Sequence, residues 1–326
     1  PVTGELPADA ACSSMQAYLD AARRQPSPIH TAMLAGSGTI RACAAGFSAP
    51  TLDAAQLRTV QSLIERELAA GALGVSLGLG YAPDCFYSTE TLIEALRPLQ
   101  DSGIPITVHM RQEGSGVVGA LREMIAVARA LRTPVEISHL KSIGKANWRR
   151  CTPEMLRLMA EARQEGVRIA CDVYPYTAGS TQLVHVLPPE MQQGGMEALT
   201  EHLADPAFRE TLKARMLTGS DFENISLLAG FENIVVSSVR LDRLRQYEGK
   251  SIAHIAEQQG KDPFTCLFDL LQAAHCDVTM IDFIAAEDDI CDILRDAHSC
   301  VISDSTYPTT GMLHPRDLSG PRAVLR

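Results

Sequence analysis

No Cys-x-x-Cys pair occurs in this chain of 326 residues, although cysteine is present nine times, at positions 12, 43, 85, 151, 171, 266, 276, 291 and 300. That long, irregular spacing argues against both a disulfide framework and a zinc finger, and fits a reducing cytoplasm. No apolar run approaches the roughly 20 residues that cross a bilayer. Val278 to Ala286 is among the most apolar stretches, and Asp282 interrupts it. The opening Pro-Val-Thr-Gly-Glu-Leu-Pro has neither a basic n-region nor an apolar h-region, so no secretory signal is visible. Positive charge is in short supply, with 29 Lys and Arg against 39 Asp and Glu and a net charge of −10. Nucleic acid and anionic membrane, which need clustered positive charge, are therefore argued against as partners. His-Glu-x-x-His and Gly-x-Ser-x-Gly are both absent, which removes the local zinc-protease signature and the serine-hydrolase elbow. Gly74 to Gly80 reads Gly-Val-Ser-Leu-Gly-Leu-Gly and matches no nucleotide-binding fingerprint. Internal repeats and low-complexity segments are missing as well.

The chain does have a globular balance, 46% hydrophobic and 21% charged, and enough length to bury a large core. Short apolar β-type runs alternate with helical stretches, which implies parallel strands joined by crossover helices. The strand expectations are Thr31 to Ala35, Leu73 to Leu79, Ile104 to Met110, Val135 to His139, Val167 to Val173, Val278 to Ala285 and Cys300 to Ser303. Between them, Asp53 to Ala70 carries Leu57, Val60, Ile64 and Leu68 at helical spacing and stops at Gly71. Thr152-Pro153-Glu154 reads as an N-cap, a first-turn proline and a dipole-favoured acid. Residues 186–260 break the rhythm, as an insertion or lid between the strands ending near 173 and starting near 278, or as a plain structural crossover. Seven strands are one short of a closed (β/α)8 barrel. The expected fold is thus α/β, a distorted TIM-type barrel lacking its first strand, in one domain over residues 1–326.

In such barrels the chemistry gathers at the C-terminal ends of the strands. The apolar runs end in Val108-His109-Met110-Arg111, in Ser138-His139-Leu140-Lys141, in Cys171-Asp172-Val173-Tyr174-Pro175-Tyr176 and in Ile302-Ser303-Asp304-Ser305. Histidine is a common zinc ligand, and a carboxylate near a bound metal can take a proton from metal-activated water, so His139 and Asp304 suit a hydrolytic metal site.

Five ordered blocks carry a resemblance. Gly71-Ala-Leu-Gly-Val-Ser-Leu-Gly-Leu-Gly-Tyr81-Ala-Pro83, His109-Met-Arg111-Gln-Glu113, Ile137-Ser-His-Leu-Lys141, Asp172-Val-Tyr-Pro-Tyr176 with Gly179-Ser-Thr181, and Ser303-Asp304 with His314-Pro-Arg316 resemble the D-aminoacylases, the N-acyl-D-amino-acid deacylases of the amidohydrolase superfamily. The resemblance implies a barrel holding one or two divalent metal ions, usually zinc, that activate water to cleave an N-acyl amide. It implies His139 and His109 as metal ligands, Asp304 as general base and Arg316 as the clamp on the substrate carboxylate. Lys141, Arg111 and Tyr81 become pocket residues, with surface pairing or core packing as their plainer roles. Three departures go with it. The family's His-x-His strand and its Cys-bearing turn do not occur here, which leads us to expect a fragment that begins after the first strand, stops before a C-terminal β-sandwich, and has little activity by itself. Tyr174 stands where some relatives carry a ligating His, and Ser37 stands in a block that usually reads LVGHGTLR. The expected partner is a small N-acyl amino acid, and self-association is possible because a parallel sheet with an open edge must be covered. A cyclic-amide hydrolase of dihydroorotase or hydantoinase type, a dipeptidase, and a metal-depleted barrel that only binds are the alternatives.

Overall fold

Asp53 begins the first long helix of the barrel, Ala54–Ala69, as the sequence predicts. Its carboxylate accepts hydrogen bonds from the peptide N–H groups of Ala55 and Gln56, and the Gln56 side chain accepts from the N–H of Asp53. This reciprocal cap satisfies donors that a helix start otherwise leaves unpaired. Val60 and Ile64, four residues apart, turn inward and are buried. The helix expected from Thr152 starts at Cys151 instead and runs to Gln164, and its N-cap Arg150 makes no side-chain capping bond.

The computed structural model describes residues 12, 14–24, 30–47, 49–305 and 311–319. Nine strands lie among them: β1 (Ala35–Gly36), β2 (Val75–Gly78), β3 (Ile106–His109), β4 (Val135–Ile137), β5 (Ile169–Val173), β6 (Ala178–Gln182), β7 (Ile234–Val239), β8 (Val278–Phe283) and β9 (Ser299–Val301). Six of them form one parallel sheet in the order β1-β2-β3-β4-β5-β9. The helices of the crossovers cover it: Val117–Leu131 buries Leu121, Met124, Val127 and Leu131, and Cys151–Gln164 buries Met155, Leu158 and Met159. These side chains close one large apolar core with Val75, Ile106, Val108, Ile137, Ile169 and Val173 of the strands. The distorted α/β barrel is therefore present.

One strand needs reassignment. Val278 to Ala285 is a strand, but β8 belongs to a separate antiparallel sheet, β6-β8-β7, and β9 pairs directly with β5. The parallel strands among the described residues number six rather than the expected seven. A short apolar run buried on both faces reads alike whichever sheet it joins, so periodicity could not separate the two. The segment expected as an excursion over residues 186–260 belongs to this second unit, whose own core joins Leu183, Val186, Leu199, Leu212, Ile234, Val236, Leu267, Phe268 and Met280. Ile225 to Leu228 is a short helix, and the run Ile234 to Val239 is β7.

Replacing Asp53 with Ala removes the cap of Ala54–Ala69. We expect a loss of about 1 kcal/mol in urea-induced unfolding with an unchanged m-value, the usual cost of deleting an N-cap.

Candidate active site

The parallel strands deliver their polar termini to one end of the sheet, around a cavity of about 240 Å³. Tyr81 follows β2, His109 ends β3, His139 and Lys141 follow β4, Tyr174 follows β5, and Asp304 follows β9; all of them line the cavity, together with Arg316. His139 and Asp304, separated by most of the chain, thus meet at one mouth. Both hold positive φ, 41° and 48°, an uncommon conformation for residues other than glycine that clusters at functional sites. The backbone at His139 is pinned because its N–H donates to the Asp172 carboxylate.

His109 Nδ1 and His139 Nε2 lie 3.0 Å apart. Two imidazole nitrogens bound to one tetrahedral zinc at the usual bond length sit roughly 3.3 Å apart, so the pair is close to the spacing a shared metal requires. The opposite nitrogen of His109 rests against Gly80, where a Cβ would come within 2.8 Å of Nε2. Only a glycine lets the ring turn Nδ1 toward His139. Burial drives the His109 imidazolium down to about 3, so the ring is neutral with a lone pair to give. Glu113 completes the group, and its carboxylate, His109 and His139 offer ligand atoms within 4.8 Å of one another.

Glu113 also receives the Lys141 ammonium, 2.8 Å from each carboxylate oxygen, and stands 3.0 Å from His139 Nδ1. Burial alone would raise the carboxyl, but Lys141 with the two histidines holds it well below its ordinary value. Burial alone would likewise lower Lys141, and Glu113 keeps it above the ordinary lysine value. The third donor of the Lys141 ammonium goes to the His139 carbonyl, at 3.0 Å. Lys141 was expected to touch substrate; it instead holds Glu113 and the His139 backbone, and when His139 Nδ1–H donates to Glu113 the Nε2 lone pair faces His109. A carboxylate holding the far nitrogen of a histidine is the usual device for orienting a metal ligand. The donor set of two imidazoles with an orienting carboxylate thus fits zinc.

Arg316, which lines the same cavity, is almost wholly buried, 2% exposed. Its Nη1 donates to Asp304 Oδ2 at 2.8 Å and its Nη2 to the Ser180 carbonyl at 2.7 Å, while Nε has no partner. His314 supports this arginine. Its Nδ1 accepts from the Arg316 N–H, and its Nε2 lies 2.9 Å from the Ala178 carbonyl. The Tyr174 ring lies under both cations, 4.8 Å from the Arg316 guanidinium and 5.7 Å from the Lys141 ammonium. Burial pushes its phenol up to about 12, so Tyr174, a candidate ligand by its place in the sequence block, stays a neutral phenol, which is a poor zinc ligand, with its ring against Lys141 and Arg316. Tyr81 lies with its hydroxyl 3.4 Å from His109 Nδ1, and burial raises its phenol well above the ordinary tyrosine value, which leaves an O–H donor beside the metal group.

Arg111 does not line this cavity. Its guanidinium is held by the Glu123 carboxylate and by the carbonyls of Cys85 and Tyr87, so it braces the loop after β2. Ser37 is also buried and structural, donating to Asp84 Oδ1 at 3.1 Å. Four ionisable lining residues carried no role in the sequence analysis. Glu113 lay inside a quoted block, His185 stacks on the Tyr81 ring at 4.4 Å, Glu223 comes from the excursion, and Asp282 comes from β8. Of these, only Asp282 left a mark in the sequence pattern, as the interruption of an apolar run.

No family model matches the chain. The D-aminoacylase of Alcaligenes xylosoxydans xylosoxydans is 39% identical over 168 residues, 51% of this chain and 34% of that protein. The N-acyl-D-glutamate deacylase of Bordetella bronchiseptica, solved with zinc and a phosphonate mimic of the tetrahedral intermediate, superposes with a TM-score of 0.75 at 26% identity, over 97% of this chain and 56% of that one. A D-aminoacylase studied for its binuclear metal centre gives 0.71 at 27% identity, over 94% and 54%. The chain spans about a third of the length of the curated relatives it matches. The fold is similar to that of these solved deacylases, and the chain is related in sequence to the D-aminoacylases and N-acyl-D-amino-acid deacylases, as its sequence blocks imply. The His109–Glu113–His139 group could hold a metal ion. No helix among the described residues is long and apolar enough to cross a membrane.

Glu223 accepts from the peptide N–H groups of Glu113 and Gly114, and burial outweighs them, pushing its carboxyl up to about 7 from 4.5. A carboxyl raised in the folded state binds more protons there than when unfolded, so stability is full below pH 4.5 and falls as pH rises through 7. We expect this component, on the order of 3 kcal/mol, to vanish in Glu223→Gln when urea midpoints are compared from pH 4.5 to 8.

Proposed function

We propose that the whole protein is a zinc-dependent hydrolase that cleaves the amide of N-acyl-D-amino acids, releasing a carboxylate and a free D-amino acid. The observation that carries this reading is one cavity lined both by the His109–Glu113–His139 group and by the buried Asp304–Arg316 pair, with the Tyr174 ring against Lys141 and Arg316. Such a cavity suits a substrate with a scissile amide at one end and a carboxylate at the other.

His109 Nδ1 and His139 Nε2 would hold the metal, which when bound polarises an amide carbonyl and makes water nucleophilic near neutral pH. Asp304, which lines the same cavity as the imidazole pair and is paired with Arg316, takes the proton from the attacking water and hands it to the departing nitrogen. Arg316 presents its unpartnered Nε toward an incoming carboxylate, which then satisfies a buried donor that is otherwise unpaired. Tyr81, kept protonated, donates its O–H toward the carbonyl oxygen as negative charge develops there. Lys141 and Glu113 act through His139. They set which nitrogen faces the metal and keep the ring from turning.

A second reading, a barrel that binds the same ligands without turnover, draws support from the donor set. Among the described residues only two imidazoles converge, and the nearby carboxylate is already neutralised by Lys141.

Assays of the whole zinc-loaded protein on N-acetyl-D- and N-acetyl-L-amino acids, dihydroorotate and hydantoins separate these readings. We expect turnover of the N-acetyl-D series. Asp304→Asn should lower kcat at least about 100-fold with little change in KM, and Arg316→Lys should act mainly by raising KM. Turnover of cyclic substrates alone, or binding without turnover, would reject the proposal.

A further inference from the structure

We propose that Asp282 selects the side chain of the substrate, and that it selects a cationic one: an N-acyl amino acid whose side chain ends in an ammonium or guanidinium group. The inference rests on the deacylase reading and narrows it to a substrate class.

Four carboxylates line the cavity, Glu113, Glu223, Asp282 and Asp304, against two permanent cations, Lys141 and Arg316. Three of the four are answered. Lys141 holds Glu113, Arg316 holds Asp304, and Glu223 takes two peptide N–H groups. Asp282 is different, because it is 2% exposed and its Oδ1 has no hydrogen-bond partner. A buried polar atom without a partner is costly and calls for an explanation; of the residues that keep one among those described, Asp282 and Arg316 are the two that line this cavity.

The placement is built rather than accidental. Asp282 sits on β8, the central strand of the antiparallel sheet, directly across from Gly179 of β6 and Ile234 of β7. A Cβ at position 179 would come within 2.7 Å of Asp282 Oδ1, so the neighbouring strand leaves the carboxylate its room. Ionisation remains available: burial raises the carboxyl to about 6, with Lys141 and Arg316 opposing that rise, so at pH 7 most of it carries charge.

Zinc is a poor candidate for the missing partner, since Asp282 is not part of the one cluster of ligand atoms that converges here, His109, Glu113 and His139. The two protein cations lie close enough for their charge to be felt at Asp282, yet both are hydrogen-bonded elsewhere. An acidic substrate side chain would meet like charge. A cationic one gains a charge-assisted hydrogen bond to an acceptor that is already desolvated.

The test compares kcat/KM for N-acetyl-D-lysine, N-acetyl-D-leucine and N-acetyl-D-glutamate in the whole zinc-loaded protein, wild type and Asp282→Asn, with zinc content and melting temperature measured on both. We expect lysine to exceed leucine by about tenfold or more, glutamate to be slowest, and the lysine-to-leucine ratio to fall toward one in Asp282→Asn at unchanged zinc content. A wild-type protein that prefers leucine or glutamate overturns the inference while leaving the deacylase reading intact, and does so even if the variant fails to fold. A ratio unmoved by the substitution, or a variant that loses zinc instead, also overturns it. Failure to hydrolyse any of the three rejects the deacylase reading and this inference together.

Discussion

Taking the Glu113 carboxylate and the Lys141 ammonium out of water costs several kcal/mol per ion, and their mutual attraction offsets that only where geometry is good and the remaining bonds are made. Both side chains are nearly inaccessible here, 4% and 8% exposed, and the ammonium reaches both carboxylate oxygens and the His139 carbonyl. The pair therefore does more than cancel charge. It fixes the one ring that must turn its Nε2 toward His109, in a residue whose backbone already departs from ordinary strand geometry. The same pair ties the two halves of the molecule to the site. The loop carrying Glu113 is clasped by Glu223, which comes from the unit with the second core, so packing around β7 and β8 bears on the metal group.

The Asp304–Arg316 pair follows the same logic with the signs rearranged. Arg316 is buried over the Tyr174 ring and anchored by Asp304 and a peptide carbonyl, yet one of its donors stays unpartnered. Asp282 retains an unpartnered acceptor in the same cavity. Other buried polar atoms also lack partners, but these two are the ones whose residues line this cavity, and their opposite hydrogen-bonding character suits a ligand with an acceptor and a donor to place there.

Much of this was legible in the sequence wherever an apolar run ended abruptly in ionisable residues. His109, His139 and Asp304 announced themselves in that way, and the structure brings all three to one cavity. Arg111 gave the same signal and meant something else, because its partner Glu123 lies on the next helix and pairing across elements leaves no trace in local pattern. Lys141 was singled out as a pocket residue and lines the cavity, but its commitment to Glu113 depends on a loop conformation that no spacing rule encodes. Asp282 did interrupt an apolar strand. Its meaning stayed hidden while that strand was assigned to the parallel sheet, and only the antiparallel pairing with β6 puts Gly179 opposite it. Glu223 lies in the irregular excursion, where neither helical nor strand period offers a guide.

Two imidazoles brought together by β3 and β4 are proposed to hold one zinc ion, with Glu113 and Lys141 orienting the second ring. X-ray absorption at the zinc edge of the whole protein tests that proposal most directly. The account predicts imidazole scattering in the first zinc shell that is lost or reduced when either His109 or His139 is replaced by Ala, together with weaker zinc binding. A zinc shell without imidazole, or one unchanged by both replacements, would contradict it.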